Sequence, residues 1–149
     1  MVVRMNGVPI LAPDGPVVCC GKETHYLGGQ RGPMPGSISV MFQCDTCGKR
    51  AADVVPLGPK LPDSSRCWSC GAARDRAGSC TDCGLPAHQL DALAGFVSRL
   101  AEPAPVAARL LHAGYYRTGL AILHCAVATA VRPDPAVRDM LDPLFAAAG

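Results

Sequence analysis

Excess charge, long apolar runs and abundant aromatics are all missing from this sequence, and each absence narrows what it does. The 14 Lys and Arg barely exceed the 12 Asp and Glu. Proteins built around the phosphate backbone carry a strong basic surplus, so a phosphate-led nucleic-acid binder is not the first expectation. No stretch reaches about 20 apolar residues, the length that spans a bilayer. The longest run, Gly119 to Val131, is interrupted by His124 and Thr129, and no membrane association is expected. The opening Met1 to Pro9 is too short and too broken for a secretory signal, so a cytoplasmic protein with reduced thiols is expected. Aromatics make up 5% of the chain and acids are not in excess, unlike the acidic, aromatic-rich composition of small iron-sulfur electron carriers. No Ser/His/Asp order, phosphate-cradling glycine loop or close carboxylate pair stands out. No catalytic residue, and no small-molecule substrate, is therefore expected.

What is present is cysteine. Eight of the nine fall in four tight pairs, Cys19-Cys20, Cys44-x-x-Cys47, Cys67-x-x-Cys70 and Cys80-x-x-Cys83, each followed by a glycine (Gly21, Gly48, Gly71, Gly84). In a reducing compartment such pairs read as metal ligands rather than disulfides. Two cysteines three positions apart wrap a turn whose amides point at both sulfurs, and the glycine supplies positive φ. Two such turns make a tetrahedral thiolate site, so two structural Zn²⁺ sites are expected, with Cys19, Cys20, Cys44, Cys47, Cys67, Cys70, Cys80 and Cys83 as ligands. Spacing does not distinguish zinc from iron. Filling both sites with four thiolates each would take the formal net charge from +2 to about −2.

Around the first two pairs the sequence alternates as strands do. Pro16 to Cys20 enters one turn and Thr24 to Leu27 leaves it. A Gly/Pro-rich loop, Gly28 to Gly36, follows. Ser37 to Gln43 then enters a second turn and Lys49 to Val55 leaves it. This order resembles a zinc ribbon over residues 15 to 56. The first turn departs from the pattern, with Val17 where a cysteine would stand, and the fourth ligand is left open between Cys19 and His25. Cys67 to Gly84 resembles the short second module of double-zinc-ribbon proteins, with rubredoxin-type turns on both sides. A cross-braced arrangement, pairing the first turn with the third and the second with the fourth, is the alternative. Trp68 either packs over the ribbon or anchors a partner. The arginines and lysines near the turns, Lys49, Arg50, Arg74 and Arg76, are expected to be solvated.

From Leu85 the period becomes helical. Leu90, Leu93, Val97 and Leu100 predict a helix over 87–101, stopped by Glu102-Pro103-Ala104-Pro105. A second is expected over 105–113, capped by Gly114, and a central buried one over 116–131. Asp134-Pro135 starts a fourth, interrupted near Pro143. Residues 107–126 resemble one tetratricopeptide repeat, with a small residue, Gly119, five after the turn glycine Gly114. Cys125 is expected to be a buried small hydrophobe.

The expected fold class is α+β: zinc ribbon 1 over 1–60, a short zinc ribbon 2 over 61–86 and an all-α helical domain over 87–149. The expected function is a non-enzymatic zinc-binding adaptor or accessory subunit, making protein–protein contact with a partner in a larger complex. The alternative is a regulator that binds nucleic acid through its ribbons.

Overall fold

The structure, a computed structural model, describes residues 3–12, 14–31, 37–56, 65, 67, 72–129, 135–137 and 139–140. It is α+β, with short antiparallel strands followed by helices that pack together. Of the sequence expectations, Trp68, Cys70, Gly71, Asp134 and residues 141–149, with Pro143, lie outside the described residues.

Three small sheets form the front of the chain. The first is a hairpin of β1 (Val3–Met5) and β2 (Val8–Ile10), which pair from Val3↔Ile10 to Met5↔Val8. Its two-residue turn, Asn6-Gly7, has φ of 52° and 82°, and positive φ at both central residues is what a type I′ hairpin turn demands. Sequence reasoning passed over this Asn-Gly signal. A second hairpin joins β3 (Val18–Cys19) to β4 (Lys22–Glu23). The third sheet has the order β5 (His25–Arg31), β6 (Ser37–Gln43), β7 (Arg50–Pro56), all antiparallel. β5 continues through Gly28, Gly29 and Gln30 to Arg31, so the first part of the expected loop is strand. These residues pair with Met41, Val40, Ser39 and Ile38 of β6, and backbone pairing needs no side chain. The register shifts between Tyr26 and Gly28, which makes Leu27 a bulge residue and leaves it 48% exposed.

The helices are α1 (Ala87–Ser98), α2 (Pro103–His112) and α3 (Tyr116–Thr129), and residues 135–137 and 139–140 are also helical. α1 forms because Leu90, Leu93 and Val97 recur on one face, and all three are buried. α2 begins at Pro103, two residues earlier than expected. Proline in a first helical turn removes an N–H that has no intrahelical partner, and its fixed φ suits the helix. α2 ends in a Schellman motif: Gly114 N–H donates to the Leu111 carbonyl at 3.1 Å and Tyr115 N–H to that of Leu110 at 2.8 Å. Gly114 takes the required left-handed turn at φ 93°. α3 packs closely on α2, and a Cβ at Gly119 would stand 3.1 Å from the Ala107 carbonyl oxygen.

One hydrophobic cluster runs through both halves. Val8, Ile10 and Leu11 from the first hairpin, Val40 and Phe42 from β6, and Cys67, Cys80 and Leu85 from the cysteine loops pack with Leu90, Leu93, Leu110, Ile122 and Leu123. Cys125, 0% exposed, sits inside α3, and burial pushes its thiol pKa up to about 11. Tyr26 and Phe42 of the large sheet meet the helices through their rings: Tyr26 lies edge-on 5.7 Å from the His112 ring, and Phe42 lies tilted 5.8 Å from the Tyr116 ring.

Candidate metal centres

Three of the four cysteine turns share one backbone device. Cys44 N–H donates to the Lys49 carbonyl at 2.9 Å, Cys67 to Ala72 at 2.8 Å and Cys80 to Leu85 at 2.8 Å. In each, the first cysteine is tied to the carbonyl five residues on; at Cys44 and Cys80 the four residues between bend around the sulfur. Gly48 and Gly84 take φ of 72° and 74° to close their turns. The amides of Cys47 and Thr46 are directed at the Cys44 sulfur, and they hold its pKa down to about 6.

The first turn solves the same problem differently. Cys19 ends β3, Cys20 and Gly21 form a two-residue turn, and Lys22 opens β4 opposite Cys19. Both turn residues have positive φ, 54° at Cys20 and 72° at Gly21. Adjacent side chains in a strand point to opposite faces. The left-handed backbone at Cys20 breaks that alternation, and the two sulfurs come within 3.9 Å of one another. Thr24 anchors the hairpin from outside, donating its N–H and its hydroxyl to the Val17 carbonyl.

Among the described residues, two groups of sulfurs converge. Those of Cys19, Cys20, Cys44 and Cys47 all lie within 4.8 Å of one another, as do those of Cys67, Cys80 and Cys83. Each group could hold a metal ion. Turns one and two share the first cluster, and turns three and four contribute to the second; the described cysteines are thus grouped as in a ribbon rather than cross-braced. His25 does not join the first cluster; its Nε2 lies 2.5 Å from Asp45 on the surface. Cys19 takes the position that the sequence left open between the two.

The donor set fits a tetrahedral ion. Four sulfurs at about 2.3 Å from a zinc stand about 3.8 Å apart along each tetrahedral edge. The measured separations are 3.7 Å for Cys19–Cys47 and 3.9 Å for Cys19–Cys20 in the first cluster, and 3.6 Å for Cys67–Cys83 in the second. Gathered thiols also oppose one another's ionisation. The Cys44 sulfur, with its neighbours, pushes Cys19 up to about 12, and the Cys67 sulfur raises Cys83 far above the ordinary thiol range. A cation among them removes that conflict.

The two clusters differ in setting. Cys20 and Cys47 of the first are exposed and Cys19 is half-buried, leaving only Cys44 buried. In the second, Cys67 is 0% and Cys80 1% exposed, and both belong to the hydrophobic core. The second cluster is also fastened to α1. Ser79 Oγ accepts the Ala87 N–H at 3.0 Å, which supplies the cap that Pro86 lacks. Arg74 donates to the Gly78 carbonyl at 2.6 Å and to Asp91 of α1 at 3.1 Å. The first cluster is tied to the helices through the loop before it, where Asp14 accepts the Thr118 N–H of α3 at 2.7 Å. Burial raises the pKa of Asp14 against the pull of these hydrogen bonds. Sequence reasoning missed Asp14 and Ser79, because an acceptor that caps a helix 104 positions away leaves no local pattern.

No family model matches the chain, and no characterised protein or solved structure shows significant similarity to it. No helix among the described residues is long and apolar enough to cross a membrane.

Proposed function

We propose that this chain is a non-enzymatic zinc-binding adaptor, an accessory subunit that joins a larger assembly by protein–protein contact. Two structural Zn²⁺ ions hold its front half. One is bound by Cys19, Cys20, Cys44 and Cys47, and the other by Cys67, Cys80, Cys83 and, by the symmetry of its turn with Cys80-x-x-Cys83-Gly84, Cys70. On this reading the two modules are zinc ribbons, and α2–α3 is a tetratricopeptide-like hairpin behind them. The observation that carries the proposal is the convergence of four sulfurs within 4.8 Å of one another in the first cluster, with the Cys19–Cys47 and Cys19–Cys20 separations near a tetrahedral edge. Four thiolates leave no open coordination position, so zinc there cross-links the chain rather than activating a substrate.

The adaptor reading draws its support from what the front half presents. Val18 is 61% exposed, Leu27 48% and Val54 36%, and apolar side chains open to solvent are material for a protein interface. Metal analysis of the purified chain, together with identification of what accompanies it from native cells, tests both parts. Two zinc ions and a stoichiometric protein companion are the expected result; a metal-free chain that stays folded would end the reading.

One observation favours nucleic acid as a second reading: Lys22, Lys49 and Arg50 are all exposed beside the first cluster. Salt separates the two. Binding led by phosphate weakens steeply between about 50 and about 200 mM salt, whereas an apolar protein contact does not.

A further inference from the structure

We propose that the first cluster is a modification site for hydroperoxides, at which oxidation exchanges the metal for a Cys19–Cys47 disulfide while the second cluster keeps its ion. This rests on the zinc reading above and deepens it by giving the two sites different reactivity.

Access distinguishes them. Attack on a peroxide needs a sulfur that solvent can reach. Cys20 and Cys47 are exposed, whereas in the second cluster Cys67 and Cys80 are sealed in the core and Cys83 is half-buried, so that no described sulfur there is as open as those two. Neighbouring side chains leave the first cluster open: Asp45, Thr46, Gly48 and Lys49 around its second turn are all exposed, as are Gly21, Lys22 and Glu23 around its first.

All four sulfurs of the first cluster lie within 4.8 Å of one another, and geometry favours Cys19–Cys47 over Cys19–Cys20. Cys19 Sγ lies 3.7 Å from Cys47 Sγ and 3.9 Å from Cys20 Sγ, so distance between sulfurs alone does not choose. The backbone does. Adjacent Cα atoms stand about 3.8 Å apart, below the about 4.4–6.8 Å that disulfides span. Cys19 and Cys47 are 28 residues apart in sequence on separate hairpin elements, free of that restriction. Their bond would also join the β3–β4 hairpin to the β6–β7 turn, the cross-link otherwise supplied by the metal.

The chemistry balances with a hydroperoxide as oxidant. The exposed Cys47 thiolate attacks the peroxide oxygen; an S–O bond forms, the O–O bond breaks, and the departing alkoxide or hydroxide takes a proton from water. The Cys19 thiolate then attacks the Cys47 sulfur, the S–S bond forms and hydroxide leaves, again protonated by solvent. The two sulfurs are each oxidised by one electron, and the peroxide is reduced by two. Two of the four donors are thereby lost, and the two that remain, Cys20 and Cys44, no longer retain the ion.

The test is native mass spectrometry of the full zinc-loaded chain during titration with hydrogen peroxide, followed by peptide mapping of its disulfides. The expected result is two zinc ions at the start, loss of one with a Cys19–Cys47 cross-link, and retention of the other with helical circular dichroism intact. Cys47→Ser should remove the mapped cross-link; because that variant could itself fold poorly, the map of the unaltered protein decides. Simultaneous loss of both ions, or a first disulfide among Cys67, Cys70, Cys80 and Cys83, overturns the inference while leaving the zinc reading standing. Fewer than two ions before any oxidant is added overturns the zinc reading, and this inference with it.

Discussion

Alanine at position 114 probes the joint between the helices and the loop that leads into the first cysteine cluster. Gly114 has φ 93°, and a Cβ built there would lie 2.7 Å from the Pro16 Cα and 3.1 Å from its Cβ. The left-handed backbone alone costs an L-residue about 1–2 kcal/mol. The steric conflict adds to it, because the nearest atom is main chain and cannot rotate aside. Relief requires residues 14–16 to move away, which would pull the Asp14 carboxylate from the Thr118 N–H, an interaction of the N-cap kind worth about 1 kcal/mol. Gly114→Ala is therefore expected to lose about 2–3 kcal/mol, or about 5–10 °C in Tm for a chain of this size. Gly95→Ala is the control. Gly95 lies in the exposed interior of α1, with nothing within 4 Å of its added Cβ. That change should gain about 0.5–1 kcal/mol. Thermal unfolding followed by circular dichroism measures both. If the two variants shift in the same direction, the proposed close approach of loop and helix turn is wrong.

Asp14→Ala removes the cap of α3 without adding a clash, and about 1 kcal/mol of stability should go with it, read by denaturant midpoint. Tyr116→Phe deletes the hydroxyl that donates to the Asp53 carboxylate; since Asp53 is exposed and can rehydrate, about 1 kcal/mol is expected. Burial first and Asp53 second raise the Tyr116 pKa from 10.0 to about 12. That contribution is complete below pH 10 and is lost as pH rises through about 12, so the gap between wild type and Tyr116→Phe should close over that window. A gap that widens there contradicts the assignment, and ultraviolet titration of tyrosinate follows the group directly. Stripping metal with a chelator at neutral pH should lower the Tm of the helices as well as of the strands, because Cys67 and Cys80 are core residues and Ser79 caps α1. An unchanged helical melt would sever the second cluster from the core.

Elements with a local signature were legible in the sequence. The cysteine-glycine turns and the positions of β6 and β7 follow from patterns a few residues long, and so does the Schellman glycine at 114. The bounds of α2 were displaced because two prolines were read as a stop, whereas a first helical turn accepts them. What stayed hidden depends on distant parts of the chain. The Cys20 conformation that makes Cys19 a neighbour of the cluster is a hairpin property, and Cys-Gly is not a pair one expects at such a turn. Asp14 on α3 and Tyr116 on Asp53 are contacts between residues 104 and 63 positions apart. Periodicity carries no trace of them.

The contrast between the clusters follows from where apolar side chains run out. Between Leu11 and Val40 no described apolar side chain is fully buried. β3, β4 and β5 are therefore held by backbone pairing, by the half-buried Val17 and Tyr26 against the core, and by the sulfurs. Each buried Leu or Val contributes about 1.5–3 kcal/mol, and the described part of this segment has none fully buried to offset the entropy of ordering it. A cross-link through Cys19 and Cys20 supplies what hydrophobic burial does not, so the first site can be lost while the rest of the molecule stays packed. The second cluster has the opposite position. Cys67 and Cys80 are themselves part of the core that α1 and α3 share, and opening it exposes Leu85, Leu90 and Leu93 together. Stability and access thus divide between the two sites for one reason, the uneven supply of aliphatic residues along the chain.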